Sequence, residues 1–356
     1  MDLERPCPAH LKLTINSRSL KRWPMNTVKP LSVGVIGAGS IASGMHLPTL
    51  LAMDDCSIAW IMDAAPERAR ALTRAFGLDH ATTPANLAEA SPCDAILFAI
   101  PLPPRMALFD ALLPGDCAIL AEKPLMTTGA EHRSLVERFA PWRISVGYQR
   151  RQYATNRLLK NIVASGVFGA LLSVSAAEGG RITRSGGAGG YQDLPVEEGG
   201  GVTRNLGCHG LDSTLWIAGA TTAKVLDRKI EWDGRTDRMA TARMRIEGVN
   251  GVAGHDVDLD WRVSWLDAPS NEVAYRFETA VVTGPVTPGD SLRVFDSKGV
   301  EVAPLMVAGT KGALSVGQAC YLEWRDLVEA FRSRSEPPTS ARSTLLTAEV
   351  MDALLT

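Results

Sequence analysis

Four polar residues have the types and spacing needed for proton transfer. Asn205, His209 and Asp212 are separated by four and then three residues, which places them on one face of a predicted helix. A neutral imidazole, with an unperturbed pKa of about 6.5, is a natural proton acceptor for an alcohol. Lys123 follows a predicted strand, at the edge where open parallel sheets bind ligands, and could hydrogen-bond the same oxygen. The alternatives are a core histidine satisfied by Asp212 and a solvated surface lysine.

A glycine-rich turn directly follows the first predicted strand. Gly37, Gly39 and Ala42 form the pattern G-x-G-x-x-A, and a helix comes next. The first glycine permits a tight turn, the second lets the backbone approach a diphosphate, and the alanine lets the helix pack close to the sheet. The start of that helix, with Ser40 and Ile41, offers unpaired N–H groups and a partial positive charge. This context predicts a dinucleotide-binding site.

Asp63 ends the second predicted strand. An acidic side chain there can accept hydrogen bonds from the adenosine ribose hydroxyls and would repel a 2′-phosphate. No arginine follows directly, because Ala64 and Ala65 come next. NAD is therefore favoured, and NADP stays possible. The alternative is that Asp63 only caps the helix that starts at Pro66.

The elements around these residues alternate between short apolar runs and helical periodicity, as in repeated βα units around a parallel sheet. Thr83 could cap a helix that opens with Pro84, and Thr128 with Glu131 forms a capping box. Strands are predicted at 33–36, 57–62, 80–82, 95–100, 118–121 and 144–146. This part of the chain is predicted to be a doubly wound Rossmann domain.

Beyond Tyr148 the pattern favours strands. Strands are predicted at 171–177, 239–246, 252–265 and 272–282, and helices at 153–165, 318–332 and 340–355. The predicted fold class is α/β, with an N-terminal Rossmann sheet and a C-terminal α/β domain that has a large, mainly antiparallel open sheet. The predicted divisions are a candidate disordered tail (1–30), a dinucleotide-binding domain (31–148), a substrate and oligomerisation domain (149–340) and a C-terminal helix packing back on the body (341–356).

Composition limits the classes of partner. The 356 residues carry a formal net charge of −2, without the basic excess that nucleic-acid binding needs. Six scattered cysteines and the absence of an apolar run long enough to span a bilayer predict a soluble, cytoplasmic protein without membrane partners. The segment from His255 to Asp260 alternates on a strand and is interpreted as a solvated face, so no metal site is predicted.

Together these features resemble the glucose-fructose oxidoreductase and inositol dehydrogenase family (Gfo/Idh/MocA), from about Leu31 to the C-terminus. The resemblance implies a Rossmann domain, a second domain with an open sheet and a substrate cleft between them. The motifs that carry it are the Gly37 turn, Asp63, Ile100-Pro101, Glu122-Lys123-Pro124, 147–151, 166–169 and the segment from Gly199 through His209 to Asp212.

The resemblance also implies residue roles. Lys123 and His209 match the family's catalytic lysine and histidine, and the lysine–proline bond is often cis. Many members carry Asp where this chain has Asn205, which cannot exchange a proton and would orient a substrate hydroxyl. Arg105 stands where relatives often have His, and a surface charge at a helix start is the simpler interpretation. Expected cofactor contacts also include Pro101, Glu122 and Lys123, and expected substrate contacts are Lys123, Arg151, Asn205, His209 and Asp212.

The implied activity is that of an NAD(P)-dependent dehydrogenase or reductase acting on CH–OH groups. Hydride would pass between the nicotinamide and a hydroxyl or keto carbon of a sugar, cyclic polyol or nucleotide-sugar. Two alternatives stay open: a glycosidase or lyase that uses NAD for transient oxidation, and a non-catalytic dinucleotide-sensing regulator. Because the open sheet commonly mediates assembly in relatives, a homodimer or homotetramer is expected.

Overall fold

The computed structural model describes residues 29–182, 193–307 and 314–356. Of the predicted tail, residues 1–28 lie outside the described residues. Two sheets and the helices around them make up the described structure, as the predicted α/β class requires. None of the helices in these ranges is both long and apolar enough to cross a membrane.

The first sheet has five parallel strands in the order β2-β1-β3-β4-β5. They are β1 (Leu31–Ile36), β2 (Cys56–Met62), β3 (Ala95–Phe98), β4 (Ala118–Ala121) and β5 (Ile144–Val146). Every residue of β3 and β4 is buried, as expected for strands covered on both faces. The helices in this part are α1 (Leu47–Leu51), which follows a π-helical turn at Ala42–His46, α2 (Pro66–Ala75), α3 (Arg105–Leu112) and α4 (Gly129–Arg138).

Two local predictions in this part were wrong. The strand at 80–82 is reduced to a single parallel bridge between Thr82 and Trp60 of β2. The helix expected after Thr83 is replaced by turns and bends over residues 83–90. There the side chain of Asn86 accepts the N–H groups of Ala88 and Glu89, and such local bonds compete with a helix. The capping box that begins α4 is confirmed.

The second sheet has eight strands in the order β13-β12-β11-β10-β6-β9-β8-β7. Its pairs are antiparallel except β6 with β9. The strands are β6 (Leu171–Gly179), β7 (Thr222–Asp233), β8 (Thr236–Glu247), β9 (Val257–Ser264), β10 (Glu272–Phe277), β11 (Ala280–Pro285), β12 (Ser291–Asp296) and β13 (Glu301–Met306). The strand predicted at 272–282 is thus a hairpin of β10 and β11, the one predicted at 252–265 begins only at Val257, and β7, β12 and β13 were missed.

Four further α-helices follow β5 in the chain. They are α5 (Ala154–Ser165), α6 (Cys208–Ala218), α7 (Val316–Ser333) and α8 (Ala341–Leu355). Although α7 lies in the segment assigned to the second domain, its Trp324 and Leu327 belong to the hydrophobic cluster of Val35 and Leu47. Helix α7 therefore completes the core of the first sheet, while α8 contacts α4 and α6.

Candidate active site

The glycine turn has the geometry expected of a diphosphate-binding loop. Gly37 has a φ of +104°, and its N–H donates to the carbonyl of Met62 at 2.7 Å. A Cβ on Gly37 would lie 2.3 Å from the carbonyl oxygen of Ala99, so only glycine fits. A Cβ on Gly39 would meet no atom within 4 Å, which leaves the space above it open. Ala42 is fully buried behind the turn.

A cavity of about 290 Å³ opens beside this turn. It combines the start of the first helix with the loops after β3 and β4, and the π-helical turn that precedes α6. Backbone N–H groups at the helix start suit a diphosphate, and the loops at the strand ends suit the ring beyond it. The residues present therefore fit a nicotinamide dinucleotide. The lining residues are Gly39, Ser40, Ile41, Ala99, Ile100, Pro101, Arg105, Glu122, Lys123 and Asn205.

Asp63 lies next to the turn, as predicted. Its Oδ2 accepts the N–H of Ala38 at 2.7 Å, and its Oδ1 accepts the N–H of Ala65 at 2.9 Å. A carboxylate has about four acceptor positions, so lone pairs remain for ribose hydroxyls. The alternative was that Asp63 caps α2. This helix has no side-chain cap, so the structure does not support that alternative.

Lys123 reaches from the loop after β4 to the segment that carries His209. Its Nζ donates to the main-chain carbonyl of Asn205 at 2.5 Å. Asn205 lies in a π-helical turn at Thr203–Gly207 that leads directly into α6. The peptide bond between Lys123 and Pro124 is cis, as the resemblance implied. The structure thus brings together the lysine and the asparagine that sequence spacing alone could not connect.

His209 lies in the first turn of α6 and is 7% exposed. Its Nδ1 is buried without a hydrogen-bond partner among the described residues, and its ring packs edge-on against Tyr148. Burial lowers the pKa of His209 well below 6.5, and the charges of Lys123 and Arg150 lower it further. The imidazole is therefore neutral near pH 7 and available as a proton acceptor.

Asp212 does not satisfy His209, because it pairs with Arg151 instead. Nε and Nη2 of Arg151 donate to the two carboxylate oxygens at 2.8 and 2.6 Å. The other donors of Arg151 bond to Pro338 and Ser343, and both members of the pair are at most 3% exposed. This buried pair anchors α6 to the start of α8. Direct contact of Arg151 or Asp212 with substrate is disfavoured by this geometry.

Glu178 and Arg150 form a second ion pair, which sequence reasoning missed. Arg150 Nη1 donates to Glu178 Oε2 at 2.8 Å, while Oε1 has no partner in the described part of the chain. Burial raises the pKa of Glu178, and the charges of Arg150 and Lys123 partly offset this effect. The sequence did offer a signal, because Glu178 directly follows the strand predicted at 171–177, at its carboxyl end.

Glu122 lines the cavity and is ionised. Burial by itself would raise its pKa, but the hydrogen bond from His46 and the charges of Lys123 and Arg105 lower it below its usual 4.5.

The interpretation of Arg105 as a surface charge was wrong. This side chain is 1% exposed and turns inward, because main-chain carbonyls of both strand-end loops accept its donors. Nothing in the sequence distinguished it from an ordinary arginine at a helix start.

The sequence also matches known proteins. Residues 31–142 match the profile of the Gfo/Idh/MocA family, described as "Oxidoreductase family, NAD-binding Rossmann fold". Over this region the chain is similar to the NAD-binding Rossmann domain of that family. The predicted resemblance and the predicted cofactor class, a nicotinamide dinucleotide, are thereby confirmed.

Curated relatives of this family match part of the chain. A dTDP-3,4-didehydro-2,6-dideoxy-alpha-D-glucose 3-reductase of Saccharopolyspora spinosa is 26% identical over 42% of this chain and 46% of the relative. An inositol 2-dehydrogenase of Renibacterium salmoninarum is 31% identical over the same shares. The match thus spans about half the length of these relatives.

Solved structures share the fold over nearly the whole chain. KijD10, a 3-ketoreductase from Actinomadura kijaniata in complex with NADP and TDP-benzene, has a TM-score of 0.75 and 19% identity, with 92% of this chain and 97% of that chain covered. The WlbA dehydrogenase from Bordetella pertussis, in complex with NADH and UDP-GlcNAcA, has a TM-score of 0.74 and 18% identity, with 92% and 94% covered. At these identities the likeness shows the fold.

Proposed function

We propose that this protein is an NAD-dependent dehydrogenase or reductase that acts on a hydroxyl or keto carbon of a sugar, cyclic polyol or nucleotide-sugar. The contact between Lys123 Nζ and the Asn205 carbonyl carries the proposal. It joins the loop after β4 to the segment with His209, beside the cavity that the glycine turn opens. An ammonium and a neutral imidazole next to a dinucleotide cavity are the groups that alcohol oxidation uses.

The side chains have separate tasks in this proposal. The bound cofactor supplies the hydride acceptor or donor. In the direction of oxidation, His209 takes the proton of the substrate hydroxyl. The Lys123 ammonium donates a hydrogen bond to the same oxygen and stabilises the charge that develops there. The Asn205 amide orients a neighbouring substrate hydroxyl without exchanging a proton. In the direction of reduction the same groups return the proton.

The similar proteins support the substrate class. One curated relative is a sugar 3-reductase and another an inositol dehydrogenase, and two solved neighbours hold nucleotide-linked ligands. NAD is the proposed cofactor because the Asp63 carboxylate beside the glycine turn would repel a 2′-phosphate.

We further propose a homodimer or homotetramer located in the cytoplasm. The open face of the second sheet forms a shallow concavity of about 480 Å³, with Arg243, Asp260, Arg262 and Glu272 in its lining. Mixed charges of this kind can pair with themselves across a two-fold axis. The described cysteines are free thiols, which fits a reducing compartment. Light scattering of the purified protein should give two or four times the mass of one chain, and Arg243→Glu should shift it towards the monomer. A monomeric wild type would contradict this assembly.

The activity test uses the purified chain, NAD+ or NADP+, and a panel of sugars, inositols and nucleotide-sugars. Formation of reduced nicotinamide with at least one hydroxyl substrate is expected. Lys123→Met and His209→Asn should each lower turnover by about 100-fold or more. Lys298→Met and His80→Asn, at exposed positions, serve as matched controls.

Three results would reject the proposal. Unchanged turnover in both site variants would show that Lys123 and His209 do not have the assigned roles. A product formed without any net change in cofactor redox state would identify a glycosidase or lyase. Tight NAD binding without turnover across the whole panel would identify a regulator.

A further inference from the structure

A single buried arginine connects the two loops that form the nicotinamide side of the cavity. Arg105 begins α3, yet its guanidinium reaches four main-chain carbonyls. Nε and Nη2 donate to the carbonyl of Ile100 at 3.1 and 2.6 Å. The carbonyls of Glu122, Pro124 and Leu125 lie around Nη1, the last two at 2.6 and 3.1 Å, and share its two N–H groups. One side chain therefore spans the loop after β3 and the loop after β4.

The four carbonyls surround the residues that face the cavity. Ile100 lies directly before Pro101, which lines the cavity. The carbonyl of Glu122 lies directly before Lys123, and the carbonyls of Pro124 and Leu125 directly follow it. In the described part of the chain, no other donor to these four carbonyls is found. Because a buried carbonyl without a donor is costly, the loop conformation depends on the guanidinium.

Arginine suits this position for two physical reasons. Its planar guanidinium carries five N–H donors in a fixed fork, so it can bond to two loops at once. The three N–H donors of a lysine all lie on one nitrogen atom. It also stays protonated, and its charge lowers the pKa of the neighbouring Glu122. A lysine at this position would keep the charge but lose the fork.

We propose that Arg105 is a positioning residue, which fixes the separation between the Ile100-Pro101 wall and the ammonium of Lys123. The proposal rests on the dinucleotide site of the proposed function. Arg105 acts through the main chain of both loops. Its bonds to the described residues end in these two loops and not at the Gly37 turn or Asp63, so the adenosine half of the site should not depend on it.

The experiment compares two buried arginines of the first part of the chain. Arg143 is 5% exposed and donates to the carbonyls of Leu112, Leu113 and Cys117, at the opposite edge from the cavity. Arg105→Lys and Arg143→Lys are therefore matched in burial and in type of bond. Calorimetry measures the binding of NADH and of ADP-ribose, which lacks the nicotinamide ring. Hydrogen exchange reports on the amides of Ala99, Ile100 and Leu102, and on those of residues 122–127 other than Pro124.

Arg105→Lys should weaken NADH binding by about tenfold, the effect of one or two charge-assisted hydrogen bonds. ADP-ribose binding should stay within about twofold, since the lost bonds lie on the nicotinamide side. Exchange should rise in both loops together, whereas Arg143→Lys should leave both affinities unchanged. Equal losses for the two ligands, or unchanged NADH affinity and exchange, would overturn the proposal.

A measurement on the wild type covers the case in which Arg105→Lys does not fold. Both loops should gain protection together when NADH binds, and neither should do so with ADP-ribose. Independent responses of the two loops would overturn the positioning role. A wild type that binds neither ligand would instead reject the proposed function.

Discussion

His46 Nε2 donates a hydrogen bond of 2.9 Å to Oε1 of Glu122. The opposite ring nitrogen, Nδ1, lies 3.0 Å from Nε1 of Trp324. Since an indole N–H can only donate, Nδ1 must accept, and the neutral tautomer with hydrogen on Nε2 fits this network. The histidine thus connects three elements: the helix after the glycine turn, the loop that carries Lys123, and α7.

Replacing His46 should destabilise the fold in proportion to the bonds lost. His46→Leu removes both bonds and leaves a buried carboxylate without its donor, which should lower the free energy of unfolding by about 2–4 kcal/mol. His46→Gln keeps an amide donor for Glu122 and should lose about half as much. Urea unfolding measures the difference, with exposed His80→Leu as the control. Equal stability of the Leu and Gln variants would show that the bond to Glu122 contributes nothing.

The pH dependence of oxidation should reflect the environment of His209. The assigned role needs a neutral imidazole, which is lost only when the pH falls through its pKa. Because burial and the charges of Lys123 and Arg150 lower that pKa, kcat/KM should stay level as the pH drops through 6.5 and decline only below it. Arg150→Gln removes one of these charges, so the midpoint should move to higher pH. A midpoint at 6.5 that does not respond to Arg150→Gln would argue against His209 as the proton acceptor.

Removing the carboxylate beside the glycine turn should relax cofactor choice. Asp63→Ser takes away the charge that would repel a 2′-phosphate, so the preference for NAD+ over NADP+ should fall by about tenfold or more. The ratio of kcat/KM for the two cofactors measures the effect. Asp79→Ser, at an exposed position, controls for the change in net charge. An unaltered ratio would leave Asp63 with a purely structural role in the turn.

Glu323 should destabilise the protein at neutral pH. This side chain of α7 is 2% exposed, and its Oε1 has no partner within the described ranges. Burial raises its pKa well above 4.5, and the charges of Glu122, Asp326 and Asp212 add to the effect. The folded state therefore binds a proton that the unfolded state has released above pH 4.5. The protonated side chain of Glu323 therefore stabilises the folded state below pH 4.5, and this stabilisation is lost as the pH rises towards the raised pKa.

Glu323→Gln should remove this dependence. At pH 8 the variant should be more stable than the wild type by roughly 1–3 kcal/mol, the usual cost of a buried polar group without a partner, and the difference should vanish near pH 4. Glu329→Gln, at an exposed position on the same helix, is the matched control. Chemical unfolding at several pH values makes the comparison. A constant difference across the range would contradict the raised pKa.

Local patterns sufficed for the parts of the fold that depend on neighbouring residues. The five paired strands of the first sheet, the capping box at Thr128 and the helices α5, α7 and α8 all lie where periodicity and capping placed them. The helix predicted after Thr83 failed because the N–H groups of Ala88 and Glu89 bond to the nearby side chain of Asn86. The hairpin of β10 and β11 was missed because a continuous apolar alternation does not reveal where a chain reverses.

The residue types in the sequence determined that a dinucleotide could bind: only glycine tolerates the backbone angle at position 37, and an aspartate follows the second strand. The tertiary structure decided which polar residues meet. It placed Lys123 against Asn205, paired Arg151 with Asp212 rather than with a ligand, and turned Arg105 inward between two loops. Such contacts join residues far apart in the chain, and their partners are set by the packing of whole elements rather than by local spacing.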